Sequence, residues 1–83
     1  MNISTIRAAI IAQPFRPFRL HLVDGRNFLV RHPEFLFLDP TGRDLRYVNP
    51  DDNDRLILIN SLLIVSLEFE IPTKPAEANG ATE

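Results

Sequence analysis

Four consecutive polar residues, Asp51, Asp52, Asn53 and Asp54, form the densest group of potential cation ligands in this chain. Carboxylate and amide oxygens bind hard cations such as Ca²⁺ when a loop wraps enough of them around the ion. An EF-hand loop beginning at Asp51 would need a glycine sixth and a glutamate twelfth, and the sequence has neither at those positions. We therefore interpret the run as a solvated loop in which Asp52 and Asp54 bind a cation weakly at most. The sequence predicts no metal site and no cofactor.

Histidine and serine are the other residue types here with catalytic potential. The register predicted below places His21 and His32 roughly 16 Å apart along one hairpin, so they cannot share a metal ion within one chain. The serines at positions 4, 61 and 66 have no catalytic motif around them, and cysteine is absent. We therefore predict that the protein is not an enzyme.

Aromatic and guanidinium groups alternate near the start of the chain, at Phe15, Arg16, Phe18 and Arg19. Proteins that bind single-stranded nucleic acid stack bases on such rings and hold phosphates with arginine. Phe15, Arg16, Arg19 and Arg31 are accordingly our candidate nucleic-acid or ligand contacts. Phe18 is expected in the core, however, and the net charge of −2 argues against tight non-specific binding. Nucleic acid is therefore an alternative partner that we do not favour.

Length and composition restrict the chain to one small domain. Its 83 residues are 45% hydrophobic, and a core this small lacks the help of disulfides. The segment 72–83 has almost no large apolar side chain, so we predict a disordered tail after a domain at 1–71. No apolar run is long enough to cross a membrane and no signal peptide is recognisable, so we expect a cytoplasmic protein with no membrane partner.

The first part of the chain predicts a helix that ends at a proline. A helical pattern of apolar residues covers 4–13, with Ser4 as the expected N-cap and Ile3 as the apolar residue preceding it. Pro14 ends this helix because its ring cannot continue the hydrogen-bonding pattern.

A β-hairpin is predicted next. Apolar and polar residues alternate on both sides of an Asp-Gly turn, and the parity of the pattern decides the loop length. A three-residue loop pairs Leu20 with Phe28 and Phe18 with Val30, which keeps all four side chains on one face. It also places Gly25 at the left-handed position that such loops require.

Further strands are predicted at 34–39, 43–49, 55–60 and 62–71. We expect a mainly β (α+β) domain: a short N-terminal helix, then a bent antiparallel sheet of about five strands that closes, or nearly closes, as a small SH3/Sm-like barrel. In the last strand one face should carry Leu63, Val65, Leu67, Phe69 and Ile71, with Leu62 and Ile64 on the other.

Three segments, 35–38, 56–59 and 62–65, are apolar on both strand faces. Only one face of a small antiparallel sheet meets the core, so something else must cover the second face. We predict that a second copy of the chain does so, with Leu58, Leu62 and Ile64 as the candidate oligomer interface. The predicted function is therefore a self-associating protein-interaction or scaffold module.

The order of motifs resembles the Sm-like small barrel over residues 4–70. A helix precedes a hairpin with a Leu-x-x-Gly motif, matched by Leu22 and Gly25, and the segment 55–67 reads as an apolar strand, a short polar bend and another apolar strand. The resemblance implies a strongly bent five-stranded sheet and ring assembly through the last two strands. It also implies RNA binding, which many members perform at the ring pore.

A second resemblance is to a group of short, uncharacterised bacterial proteins. Their pattern is Pro-Phe-Arg-Pro-Phe, then His-Leu-x-Asp-Gly-Arg, then His-Pro-Glu-Phe, matched here at 14–18, 21–26 and 32–35. This second likeness implies no particular activity.

Overall fold

One short helix followed by six short strands makes up the computed structural model, which describes residues 1–51 and 55–70. The predicted tail at 72–83 lies outside the described residues. The elements are α1 (Ile3–Ile11), β1 (Phe18–Leu22), β2 (Asn27–Val30), β3 (Leu36–Leu38), β4 (Asp44–Val48), β5 (Leu56–Asn60) and β6 (Ile64–Phe69), with 3-10 turns at Pro33–Phe35 and Ser61–Leu63.

The strands form two three-stranded antiparallel sheets. Sheet A has the order β2-β1-β6, and sheet B has the order β3-β4-β5. The prediction of a mainly β chain with one N-terminal helix is confirmed. Among the described residues neither sheet closes on itself, so the strands are divided between two sheets instead of forming one clear five-stranded barrel.

The first hairpin has the predicted register. Phe18 pairs with Val30 and Leu20 pairs with Phe28. The loop holds three residues, because the amide of Leu22 still donates at 2.8 Å to the carbonyl of Arg26, the residue before β2. The last loop residue, Gly25, has a φ of +92°, as the parity argument required.

Helix α1 is shifted and shorter than predicted. Its N-cap is Asn2, whose side-chain oxygen accepts a hydrogen bond from the amide of Ser4 at 2.8 Å, so the assignment of Ser4 as the cap was wrong. Asn and Ser are about equally good caps, and Ile3 becomes the first helical residue instead of the residue preceding the cap. The helix ends at Ile11, before Pro14. Across the described residues no helix is long and apolar enough to span a membrane.

Two predicted strands begin later than expected because each is preceded by a 3-10 turn. Pro33, which lacks an amide hydrogen, stands at the start of the first turn and shortens the strand predicted at 34–39. At the second turn the side chain of Asn60 accepts a hydrogen bond from the amide of Leu62 at 2.9 Å. This cap converts the start of the strand predicted at 62–71 into a turn.

A β-bulge at Val65 overturns the predicted faces of the last strand. The pairing of β6 with β1 shifts between His21 and Leu22, so Val65 is an extra residue in β6. As a result Ile64 is buried and Leu67 packs against the same core, although the strict alternation had placed them on opposite faces.

A single hydrophobic core joins α1 and both sheets. Tyr47 of β4 helps to connect them: its hydroxyl donates to the carbonyl of Leu29 in β2 at 2.7 Å, and its ring centroid lies 5.1 Å from that of Phe28. The buried apolar residues are Ile6, Ala9, Phe18, Leu20, Leu22, Val30, Phe35, Leu36, Leu45, Tyr47, Ile59 and Ile64.

Candidate interaction surface

The outer face of sheet B carries three large exposed apolar side chains. Phe37, Leu56 and Leu58 are 57%, 58% and 66% exposed. Phe37 and Leu58 both pair with Arg46, one from each side, so β3, β4 and β5 contribute to a single cross-strand row. We call Phe37, Arg46, Leu56 and Leu58 the outer patch.

Strand alternation explains why these side chains point away from the core. Leu45 and Tyr47 are buried on the inner face of β4, which turns Arg46 outward. Ile59 is buried in β5, which turns Leu58 outward in the same way. An outward position in a small antiparallel sheet is ordinarily polar. The outer patch therefore departs from this alternation of polar and apolar residues. Its apolar side chains do not contribute to the core of this chain, so the core does not explain them.

Asp44 and Arg46 stand two residues apart on this same face. Both are exposed, and neither side chain makes a hydrogen bond or an ion pair within the described part of the chain. The sequence analysis did not single out either charged residue, and it included Phe37 only as part of the segment 35–38 that is apolar on both faces. The signal was present, because alternation across 43–49 places residues 44, 46 and 48 on one face.

The turn between β5 and β6 exposes further apolar side chains. Leu62 is 82% exposed, and Leu63 and Val65 are also partly open to solvent. The exposed residue Val23 lies beside them, since its amide donates to the carbonyl of Leu63 at 2.8 Å. Of the three interface residues proposed from the sequence, Leu58 and Leu62 therefore lie on the surface. Ile64 is only 2% exposed and packs inside its own chain.

The four candidate nucleic-acid contacts are dispersed among separate interactions. Phe15 is half-buried, and its ring lies 5.9 Å from that of Phe18. The guanidinium of Arg16 stacks over the ring of Phe69 at 4.7 Å. In the other two cases arginine meets a polar side chain: Arg19 donates to Asn27 Oδ1 at 2.6 Å, and Arg31 contacts Asp51 at 3.5 Å. Nucleic-acid binding stays a prediction.

The histidines belong to different environments. His21 Nε2 lies 2.9 Å from Glu68 Oε1 on the outer face of sheet A, and the exposed ring of His32 packs edge-on against Phe35. Within residues 1–51 and 55–70 no three His, Asp or Glu side chains come together as metal ligands. The predicted weak cation loop at 51–54 lies largely outside the described residues.

Two turn carboxylates have lowered pKa values because nearby donors stabilise the charged form. At Asp39 the hydroxyl of Thr41 donates at 2.7 Å and the amide of Gly42 at 2.8 Å, and these bonds lower its pKa. At Asp24 the pKa is lowered first by the amide of Arg26 and then by the guanidinium of the same residue. Both carboxylates are satisfied inside their own turns, unlike Asp44.

An open groove of about 530 Å³ lies between α1 and the end of β6. Small helix side chains form its floor, and Arg16 stacked on Phe69 borders it. Its described lining residues form no convergent set of polar groups of the kind that fixes a small ligand, so we regard the outer patch as the stronger candidate site. Comparison with protein-family models, with curated proteins and with solved structures found no match to this chain.

Proposed function

We propose that this chain is a non-enzymatic, self-associating small β domain that acts as a protein-interaction or scaffold module. The observation that carries the proposal is the outer patch, where Phe37, Leu56 and Leu58 expose more than half of their side chains on one sheet face. Clustered exposed apolar residues are typical of interfaces, whereas isolated ones are ordinary on any surface.

The physical gain from association is the removal of this apolar surface from water. Full burial of a leucine or phenylalanine side chain contributes about 1.5–3 kcal/mol, and these three side chains retain more than half of that area to bury. A domain of this size also has a small core, so a second copy that covers the outer patch adds stability that one chain lacks. Leu62 adds a further exposed side chain at the end of β5.

We also propose that the two sheets are the halves of one Sm-like small barrel. The support is connectivity: the chain passes from sheet A to sheet B through the Pro33–Phe35 turn and returns through the Ser61–Leu63 turn. Such short passages let β2 with β3, and β5 with β6, act as bent strands shared by both sheets. The preceding helix and the glycine at the first hairpin agree with that arrangement.

Substitution of Leu58 tests the proposed self-association. Leu58→Lys places a charge in the outer patch. Ile11→Lys is the control: it places the same charge at the last residue of α1, which is 67% exposed, against 66% for Leu58. We expect light scattering on a sizing column to give the unaltered chain a mass of at least twice 9.5 kDa. Leu58→Lys should shift this mass toward the monomer, and Ile11→Lys should leave it unchanged.

A monomeric mass for the unaltered chain at the highest soluble concentration would refute the proposal. Equal effects of Leu58→Lys and Ile11→Lys on the mass would mean that self-association does not depend on the outer patch. Leu62→Lys then tests whether the turn after β5 belongs to the same interface, because Leu62 is exposed and its replacement leaves the core intact. Ile64 is unsuitable for this test because a charge there would unfold the monomer.

A further inference from the structure

The outer face of β4 presents one acid and one base whose side chains have no partner among residues 1–51 and 55–70. Asp44 and Arg46 are exposed and lie two residues apart, and in the described part of the chain neither side chain makes an ion pair or a hydrogen bond. Phe37 and Leu58 pair with Arg46 from the two sides, so the guanidinium rises from an apolar row.

A surface that covers this face buries the charges of Asp44 and Arg46 and must compensate for them. A charge that is buried without a partner destabilises an interface by far more than one apolar side chain contributes. The covering surface must therefore bring a carboxylate to Arg46 and a cation to Asp44, at the spacing of two strand residues. A second copy of the same face satisfies this condition when its β4 runs in the opposite direction.

We propose that two copies of this chain pack face to face through sheet B around a two-fold axis between Asp44 and Arg46. This proposal rests on the proposed self-association and specifies its geometry. The axis lies in the plane of the interface and crosses β4 at right angles. Rotation about it brings Asp44 to the partner subunit's Arg46 and Arg46 to the partner subunit's Asp44, which is the reciprocal contact of an isologous interface.

The apolar residues fit the same axis. Leu58 pairs with Arg46 and Asn60 pairs with Asp44, so the leucines of both copies flank the axis on β5. Phe37 occupies the equivalent place on β3. An axis parallel to β4 would instead bring Arg46 to the partner subunit's Arg46, and Asp44 to the partner subunit's Asp44. Such like-charge contacts are unfavourable, so the charges select one orientation.

Charge reversal tests this geometry because each single change makes the face self-repelling. Arg46→Glu leaves two acidic positions on β4, and Asp44→Arg leaves two basic ones. We expect each variant alone to dimerise at least about tenfold more weakly than the unaltered chain. An equimolar mixture of the two variants should restore the dimer, because the acidic face of one then meets the basic face of the other. The control is Arg7→Glu, which makes the same charge change on the exposed side of α1.

Sedimentation of each variant and of the mixture decides the matter, with circular dichroism to confirm folding. If both variants keep the mass of the unaltered chain, the two-fold geometry is wrong while self-association stands. If both dissociate but the mixture stays monomeric, Asp44 and Arg46 do not face each other and the geometry is again wrong. If the unaltered chain is itself a monomer, the proposed function fails together with this inference.

Discussion

Replacing Gly42 by alanine should destabilise the domain more than the same change at Gly25. Both glycines have positive φ, +75° and +92°, so both substitutions force an alanine into the left-handed region. They differ in their surroundings. A Cβ at Gly25 would meet nothing within 4 Å, whereas one at Gly42 would lie 3.2 Å and 3.3 Å from Cγ1 and Cγ2 of Ile3. Gly25→Ala is therefore a matched control for the contact with α1.

The expected losses in free energy of unfolding combine two contributions common to both variants and one that applies only at Gly42. The left-handed conformation costs an alanine about 1–2 kcal/mol. The loss of chain entropy in the unfolded state returns about 0.4–1 kcal/mol. Gly25→Ala should thus lower the free energy of unfolding by about 1 kcal/mol. Crowding of Ile3 should add about 1 kcal/mol, the lower end of the range for overpacking, and so raise the total cost at Gly42 to about 2 kcal/mol.

Urea unfolding of four chains at one fixed concentration measures the contact directly. The chains are the unaltered protein, Gly42→Ala, Ile3→Ala and the double variant. Because Ile3→Ala removes both crowding carbons, the added cost of Gly42→Ala in that background should fall to the cost at Gly25. The difference of about 1 kcal/mol corresponds to roughly 4–8 °C in Tm for a domain of this size.

Two results would refute the reasoning. Equal costs for Gly42→Ala and Gly25→Ala would mean that Ile3 moves aside without penalty. An unchanged cost for Gly42→Ala in the Ile3→Ala background would place the strain within the β3–β4 turn itself. In either case the docking of α1 on that turn would contribute less to the fold than the 3.2 Å approach indicates.

Two further substitutions test the connection between the sheets and the acid response of the turn. Tyr47→Phe removes the hydroxyl that donates to the carbonyl of Leu29, and it should lower the free energy of unfolding by about 1 kcal/mol, measured by urea denaturation; no loss would mean that water replaces this bond freely. Asp39→Asn should flatten the acid side of the stability curve. The pKa of Asp39 is lowered in the fold by the bonds from Thr41 and Gly42, so its contribution is present above the unfolded value of 3.8 and is lost as pH falls from there through the folded pKa. Parallel urea midpoints of variant and unaltered chain across that pH range would contradict the assignment.

Local signals in the sequence were sufficient for the first half of the fold. The helix before Pro14 and the hairpin at Gly25 follow from backbone chemistry and strand parity, both of which act within a few residues. The observed register of Phe18 with Val30 confirms that a one-residue slip was correctly excluded. Choosing between Asn2 and Ser4 as the cap was beyond the sequence, because the two residue types cap helices about equally well.

The pairing of distant strands determines the features of the fold that the sequence analysis did not predict. The faces of β6 depend on the bulge at Val65, which exists because β1 and β6 shift register between His21 and Leu22. Strict alternation does not include that shift, so it placed Ile64 with Leu62 on the face opposite Leu67. Of the three candidate interface residues, Leu58 and Leu62 are exposed and Ile64 is buried, and the interface itself stays a prediction.

The two sheets treat their outer faces differently, and this contrast bears on which face a partner covers. On sheet A the outward side chains satisfy one another: Arg19 donates to Asn27, and His21 bonds to Glu68. Because these polar side chains already bond to one another, this face would gain little from contact with a partner. On sheet B the outward row holds apolar side chains around Arg46, whose guanidinium has no ion pair or hydrogen bond with the residues that the structure describes. Solubility of a monomer alone does not explain why one outer face carries paired polar side chains and the other carries exposed apolar ones. The outer face of sheet B is therefore where a second copy would gain most, and the charge-reversal mixture tests that difference most directly.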